Sequence, residues 1–320
     1  MRALSGASLA LSAALALSAT VGCQQVGMVQ AKRSFKAANT AYQAQDYKKA
    51  AELYEEAIAA DPNLASVYFY LGNSYDNQYK PSRRGEPEND ALLEKAVTNY
   101  QLCADKLAGA TEPNEKMLAT RSLEYLQAAY GPDKLNDPAK AEPIVQKMIQ
   151  MDPSEPSNYF VLAKIYEDAG AYAEAEQTLI NAKNARPNDP AVYMTLAGFF
   201  NRQGRFDKTI EALEQRAQAE PTNPDAFQTI AAYYWDETRN DASLNEAQKK
   251  EFVAKGIDAV DKALGLKADF VEAITFKGLL LRQQALLEKD PAKQQALIKE
   301  ATALSDKASD LRKQQTGRSN

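Results

Sequence analysis

Residues 157–187 read SNYFVLAKIYEDAGAYAEAEQTLINAKNARP, and residues 191–221 read AVYMTLAGFFNRQGRFDKTIEALEQRAQAEP. The two stretches carry the same residues in the same order. Tyr159 falls on Tyr193, Leu162 on Leu196, Ala163 on Ala197 and Tyr166 on Phe200; Gly170 falls on Gly204, Tyr172 on Phe206, Leu179 on Leu213 and Pro187 on Pro221. Pro153, Pro187 and Pro221 stand at a constant spacing of 34 positions. A fixed period of that size is the mark of a repeat architecture, in which one unit is one supersecondary element.

Each unit predicts two helices and a turn. In the first stretch one helix runs over Ser157–Asp168 and ends at Gly170, which tolerates the positive φ of a helix end. A second runs over Tyr172–Ala185 and is stopped by Pro187. Ala163 and Ala197 fall where the two helices cross, and a side chain larger than methyl there would overpack the crossing at a cost of about 1–3 kcal/mol. One such hairpin cannot bury its apolar face alone, so neighbours must stack.

The period, the aromatic before a Leu-Ala pair, the second aromatic, the Gly turn and the closing Pro together resemble the tetratricopeptide repeat family. The resemblance implies an all-α fold, an α/α superhelical solenoid of helix hairpins over 31–320 with about six to seven helix pairs. The first copy is SFKAANTAYQAQDYKKAAELYEEAIAADP, with Ala38 at the crossing and Asp46-Tyr47 in place of the Gly turn. The second opens ASVYFYLGNSYDNQY, with Gly72 at the crossing, and is interrupted by KPSRRGEPEND. Gly72 and Ala96 lie 24 positions apart where Ala163 and Ala175 lie 12 apart, which measures the insertion, near 79–90. Its second helix resumes at about Ala91, and Cys103 reads as a small buried side chain. The third copy is worn, with helices over about 115–130 and 138–151. The sixth opens DAFQTIAAYYWDETRN and carries a second insertion near 236–250. The last helix, about 292–313, reads as a polar cap.

The N-terminus reads as an address. Met1-Arg2 precedes an uncharged run from Ala3 to Val21, of signal-peptide type. The segment ends Ser18-Ala19-Thr20-Val21-Gly22-Cys23, which resembles the bacterial lipobox, with Thr20 where Leu is usual. The resemblance implies a signal peptide over 1–22, acylation of Cys23, and a tether over 23–30. Gln24 after the Cys implies sorting to the outer membrane, facing the periplasm. A soluble secreted form and an uncleaved anchor are the alternatives.

Composition narrows the chemistry. The 320 residues are 45% hydrophobic and 25% charged, with net charge −5 and no histidine. No basic stripe marks a nucleic-acid partner. The commonest general base and metal ligand is missing from the chain. GxxxxGK, GxSxG, CxxC and HExxH are all absent, and no cofactor or metal is implied. Glu55-Glu56 and Glu174/Glu176 read as solvated faces of second helices. Phe199-Phe200 and Tyr233-Tyr234-Trp235 read as core rather than a ligand box, since one member of each lies on the core stripe.

In the resembled family, ligand contacts come from fixed offsets on first helices. Carried over, these are Phe35, Asn39, Tyr42 and Gln43; Phe69, Asn73, Asp76 and Asn77; Phe160, Lys164 and Glu167; Met194, Asn201 and Arg202; Gln228, Trp235 and Asp236. Such a set of amides and rings suits an extended polypeptide. The carboxylate-clamp subclass is not implied, since Phe35 stands where its first Lys would be. The insertions, with Arg83-Arg84 and Trp235-Asp236-Glu237 at their bases, are expected to offer an edge to a partner or a second copy. The reading is a non-enzymatic, lipid-anchored adaptor for a protein or peptide in the cell envelope. A cell-wall hydrolase or its regulator, and a self-assembling structural protein, are the alternatives.

Overall fold

A computed structural model describes residues 26–317. Among them every regular element is helical, and no strand occurs. The expectations on residues 1–25, Cys23 included, lie outside the described residues. The chain divides at Pro153/Ser154 into two compact units.

The first unit holds three hairpins: α1 (26–43) with α2 (Tyr47–Ala60), α3 (Ala65–Gln78) with α4 (Pro87–Lys106), and α5 (Pro113–Ala129) with α6 (Pro138–Met151). The second holds four: α7 (Pro156–Asp168) with α8 (Tyr172–Ala185), α9 (Pro190–Arg202) with α10 (Phe206–Ala219), α11 (Pro224–Asn240) with α12 (Glu246–Leu266), and α13 (Val271–Leu287) with α14 (Pro291–Gly317). Within each unit the hairpins pack in sequence order.

The boundaries follow local chemistry. Proline opens α4 to α7, α9, α11 and α14, where its missing N–H costs nothing. Asp46, Asp137, Asp189 and Asn223 accept hydrogen bonds from the first turns that follow them. Gly170 and Gly204 end α7 and α9 at φ +76° and +66°. In the first hairpin that left-handed position is held by Gln45 at φ +61°, with Asp46 then capping α2.

Three expectations change. Residues 26–30, read as part of a tether, are helical and belong to α1. The first insertion is shorter as a loop than expected, because α4 starts at Pro87 rather than near Ala91. What remains is a built turn: a short 3-10 segment, Pro81–Arg83, is pinned by the buried Asn89, whose amide nitrogen donates to the carbonyls of Lys80 and Arg83 (both 3.1 Å). The second insertion is mostly absorbed into helix, leaving 241–245 as the turn. α11 continues to Asn240, α12 begins at Glu246 behind an Asn245–Gln248 capping box, and Trp235 to Glu237 lie within α11 rather than at a loop base.

The cores rest on small residues at the crossings. Ala38, Ala197 and Ala231 are fully buried and Ala163 nearly so. At Gly72 even a methyl group is excluded: a Cβ there would sit 2.9 Å from the Tyr100 ring, itself fully buried. Cys103 is buried in the same core, and burial pushes its thiol up, away from reactivity. Phe199, Phe200 and Tyr234 are buried, while Tyr233 and Trp235 are half-buried. α14 buries only Ala301 and Ala308 and keeps a polar outer face, as a terminal helix should.

Charges tie neighbouring hairpins of the second unit. Arg202 of α9 holds Glu167 of α7 through two hydrogen bonds (2.7 and 2.9 Å). Arg205 and Lys208 both reach Glu176 of α8, and the Arg205 guanidinium lies 4.8 Å from the Phe200 ring. Glu176 is thus an inter-hairpin clasp, not a solvated side chain. The hydrogen bond from Arg202 lowers the Glu167 carboxyl, and the one from Arg205 lowers Glu176.

Two predictions follow from this packing. Gly72→Ala destabilises the chain by about 1–3 kcal/mol through the Tyr100 clash, whereas Gln45→Gly stabilises it by about 1 kcal/mol by relieving the left-handed backbone; both are read by urea denaturation. A carboxyl lowered in the fold adds stability above its unfolded pKa and loses it as pH falls through its folded value. Glu167→Gln and Glu176→Gln therefore each cost about 0.5–1 kcal/mol at neutral pH, and that cost vanishes in acid, below the usual carboxylate range. A pH-independent difference in thermal unfolding would contradict the assignment.

Candidate functional site

In the first unit the face formed by α1, α3 and α5 is a field of rings and amides. Tyr70 is its hub. It stacks on Tyr54 at 6.0 Å and meets Phe35 (5.9 Å), Tyr42 (6.0 Å) and Phe69 (5.3 Å) at wider angles. Tyr125 of α5 extends the field, 5.7 Å from Phe69 and 5.2 Å from Tyr100, with 37% of its surface in solvent.

A polar thread runs beneath the rings. The Tyr42 hydroxyl donates to Asn73 Oδ1 (2.5 Å), Asn73 Nδ2 donates to the Tyr100 oxygen (3.4 Å), and the Tyr100 hydroxyl donates to Asp76 Oδ2 (3.4 Å). Lys134, in the turn between α5 and α6, closes the thread on Asp76 Oδ1 at 2.5 Å. Burial raises the Tyr100 and Tyr54 hydroxyls, so both remain proton donors well beyond neutral pH. The thread therefore joins α1, α3, α4 and the α5–α6 turn and fixes the rings above it.

The carried-over residues separate on this framework. Phe35, Asn39 and Tyr42 are half-buried and Gln43 and Asn77 are exposed, so all five border solvent on the face. Asn39 accepts from the Tyr54 hydroxyl (2.7 Å), which leaves its amide nitrogen without a partner among the described residues. Asn77 donates to the backbone and side-chain oxygens of Asn73 (both 2.8 Å). Phe69 and Asn73 are withdrawn: they are 5% and 4% exposed and spent on internal contacts. They form the floor of the face rather than its contact surface. Tyr70, Tyr125 and Lys134 were missed. Tyr70 stands where the central copies carry Val161 and Thr195, and that ring was the available signal. Tyr125 lies in the worn third copy, where the offsets were not applied.

In the second unit the corresponding face is charged and largely self-paired. Glu167 is taken by Arg202, and Lys164 pairs with Asp168. Phe160 and Gln228 are half-buried, and Asn201 and Asp236 exposed. Met194 receives the Arg216 guanidinium, which also reaches Thr229 Oγ1 (3.3 Å). Trp235 packs on Phe276 of α13 (5.7 Å) under the Arg239 guanidinium (5.1 Å). A cavity of about 480 Å³ opens between α10, α11 and α12, with Ala217, Ile230 and Ala259 at its base and Glu214 and Lys262 at its rim. Reading ligand contacts from first helices alone did not reveal it. Among the described residues no cluster of three or more acidic or Cys side chains is placed to hold a metal.

Two family models described as tetratricopeptide repeat match the chain, over residues 35–101 and 134–198. No curated protein matches its sequence. Among solved structures, the C-terminal part of a TPR repeat-containing protein from Cytophaga hutchinsonii is 16% identical, with a TM-score of 0.52 over 87% of this chain and 98% of that one. A tetratricopeptide repeat protein from Parabacteroides merdae is 14% identical over 85% of this chain and 99% of its own, with a TM-score of 0.43. The recurring helix pairs, with small residues at their crossings, are tetratricopeptide repeats over the matched residues 35–101 and 134–198.

Proposed function

We propose that the protein is a non-enzymatic adaptor that holds an extended polypeptide across the α1/α3/α5 face of its first unit. The fold is one of interaction scaffolds. The observation that carries the reading is the row of solvent-bordering rings, Phe35, Tyr42, Tyr70 and Tyr125, set beside Asn39, Gln43 and Asn77 on a buried hydrogen-bond thread. Rings held in place lose little freedom when a ligand arrives, and the open amide nitrogens of Asn39 and Gln43 satisfy the backbone of a strand. Carboxylates at or beside the two faces are already committed, Asp76 to Lys134, Glu167 to Arg202 and Asp168 to Lys164, which suits binding better than proton transfer.

The adaptor is further proposed to be a lipoprotein, acylated at Cys23 and held at the outer membrane facing the periplasm. The support is the uncharged run Ala3–Val21 and the small residues before Cys23. Its partner would be another envelope protein, presented to an assembly on that membrane.

A photoreactive residue at Gln43, with crosslinked partners identified by mass spectrometry, should capture one predominant polypeptide from cells. Against that partner's peptide, Tyr125→Ala and Asn39→Ala should each weaken binding about tenfold or more, with unchanged circular dichroism. Full affinity in both variants would refute the site. For the anchor, a fatty-acid analogue should label the wild-type chain and not Cys23→Ala; equal labelling would remove Cys23 from the account.

A further inference from the structure

Most of the outward face of α1 takes no part in the polypeptide site, which only Lys36 borders, three and seven positions before Asn39 and Gln43. Ala31 and Ala38 turn into the first unit and are fully buried. On the opposite side Val26, Val29, Arg33 and Lys36 follow one another at steps of three, four and three residues, which places them on a single stripe of the helix. Lys32 flanks it. All five side chains are exposed, Val26 at 67% and Val29 at 53%. None of the three cations has an acidic partner among the described residues, although ion pairs are frequent elsewhere in the chain. The chain has 43 acidic residues and a net charge of −5, yet its first acidic residue is Asp46. α1 is therefore purely cationic in an acidic protein. The last helix is built differently: the exposed side of α14 mixes both signs, with Lys313 paired to Asp310.

A terminal repeat needs a polar outer face for solubility. Two exposed valines among unpaired cations serve that need poorly. They suit a surface that is negative and has an apolar layer just beneath. We infer that the outer stripe of α1 lies on an anionic lipid surface, with Lys32, Arg33 and Lys36 at the headgroups and Val26 and Val29 entering the acyl boundary. Short cationic helices with aliphatic side chains bind membranes by this sum of terms, each cation near the surface strengthening partition about fivefold. The inference does not require acylation of Cys23. If both hold, the anchor and the stripe act from the same end of the chain, and α1 sets the orientation of the first unit relative to the bilayer.

The test uses the full chain carrying Cys23→Ser and Cys103→Ala, with an environment-sensitive fluorophore on Val29→Cys or, as a control, on Thr302→Cys of α14. Each is mixed with vesicles of phosphatidylcholine, with or without phosphatidylglycerol. At position 29 the emission should shift to the blue, and an aqueous quencher should lose access, only with phosphatidylglycerol and only at low salt. The label at 302 should stay in water. Lys32→Glu, Arg33→Glu and Lys36→Glu together should lower partition by at least about 100-fold, and Val26→Ser should lower it less; all four positions are exposed, so folding should be unchanged. A label at 29 that stays in water on anionic vesicles, responds equally to neutral ones, or ignores the charge reversal would overturn the inference. Replacing Cys23 throughout separates the result from acylation, and the charge-reversed variant, which leaves the run Ala3–Val21 intact, separates it from that run.

Discussion

The fold depends on how closely two helices of a hairpin can approach. Where they cross, the chain places Ala38, Gly72, Ala163, Ala197 and Ala231, and the room spared by those small side chains is filled by large ones from the partner helix. The second hairpin shows the limit. Tyr100 occupies the space so completely that its crossing position has no side chain at all. Close approach brings each hairpin's remaining apolar stripe into register with its neighbour's, and stability is then shared along each unit rather than held in one centre.

The same closeness makes the first unit's polar interior possible. Tyr42, Asn73, Tyr100 and Asp76 are close enough to hydrogen-bond through a core that is otherwise aromatic and aliphatic. In such surroundings an unpaired amide or carboxylate would be costly, so each member must be satisfied by the next. Lys134 completes the set from a turn far along the sequence. The result is a surface whose rings are fixed from below. The second unit takes another route, spending its charges on ion pairs between hairpins, Arg202 with Glu167 and Arg205 with Glu176. The two faces are thus different surfaces built on one repeat.

Much of this was legible beforehand, for stated reasons. The bounds of α6 and α8 were readable to the residue because Pro and capping Asp or Gly positions act locally. The lengths of the insertions were readable too, but not their form. Residues 87–90 and 236–240 join helices because tertiary neighbours, such as Phe276 against Trp235, reward continuing a helix that local sequence leaves undecided. The offset rule located Asn39, Tyr42 and Asn77 at the surface but also drew in Phe69 and Asn73. Offsets give the side of a helix, whereas exposure depends on what the partner helix and the next hairpin bring, here Tyr100 and Tyr125.

By itself the sequence determined the helix period, the hairpin, the small residues at each crossing and the lack of histidine-based chemistry, because these are properties of residue type and spacing. Only the tertiary structure decided which amides stay open to a ligand, which carboxylates are spent as clasps, that Gln45 carries a left-handed turn, and that one face of α1 is cationic, aliphatic and unpaired. Those outcomes depend on side chains distant in sequence meeting in space, and a chain of 34-residue units leaves such meetings to the differences between its copies.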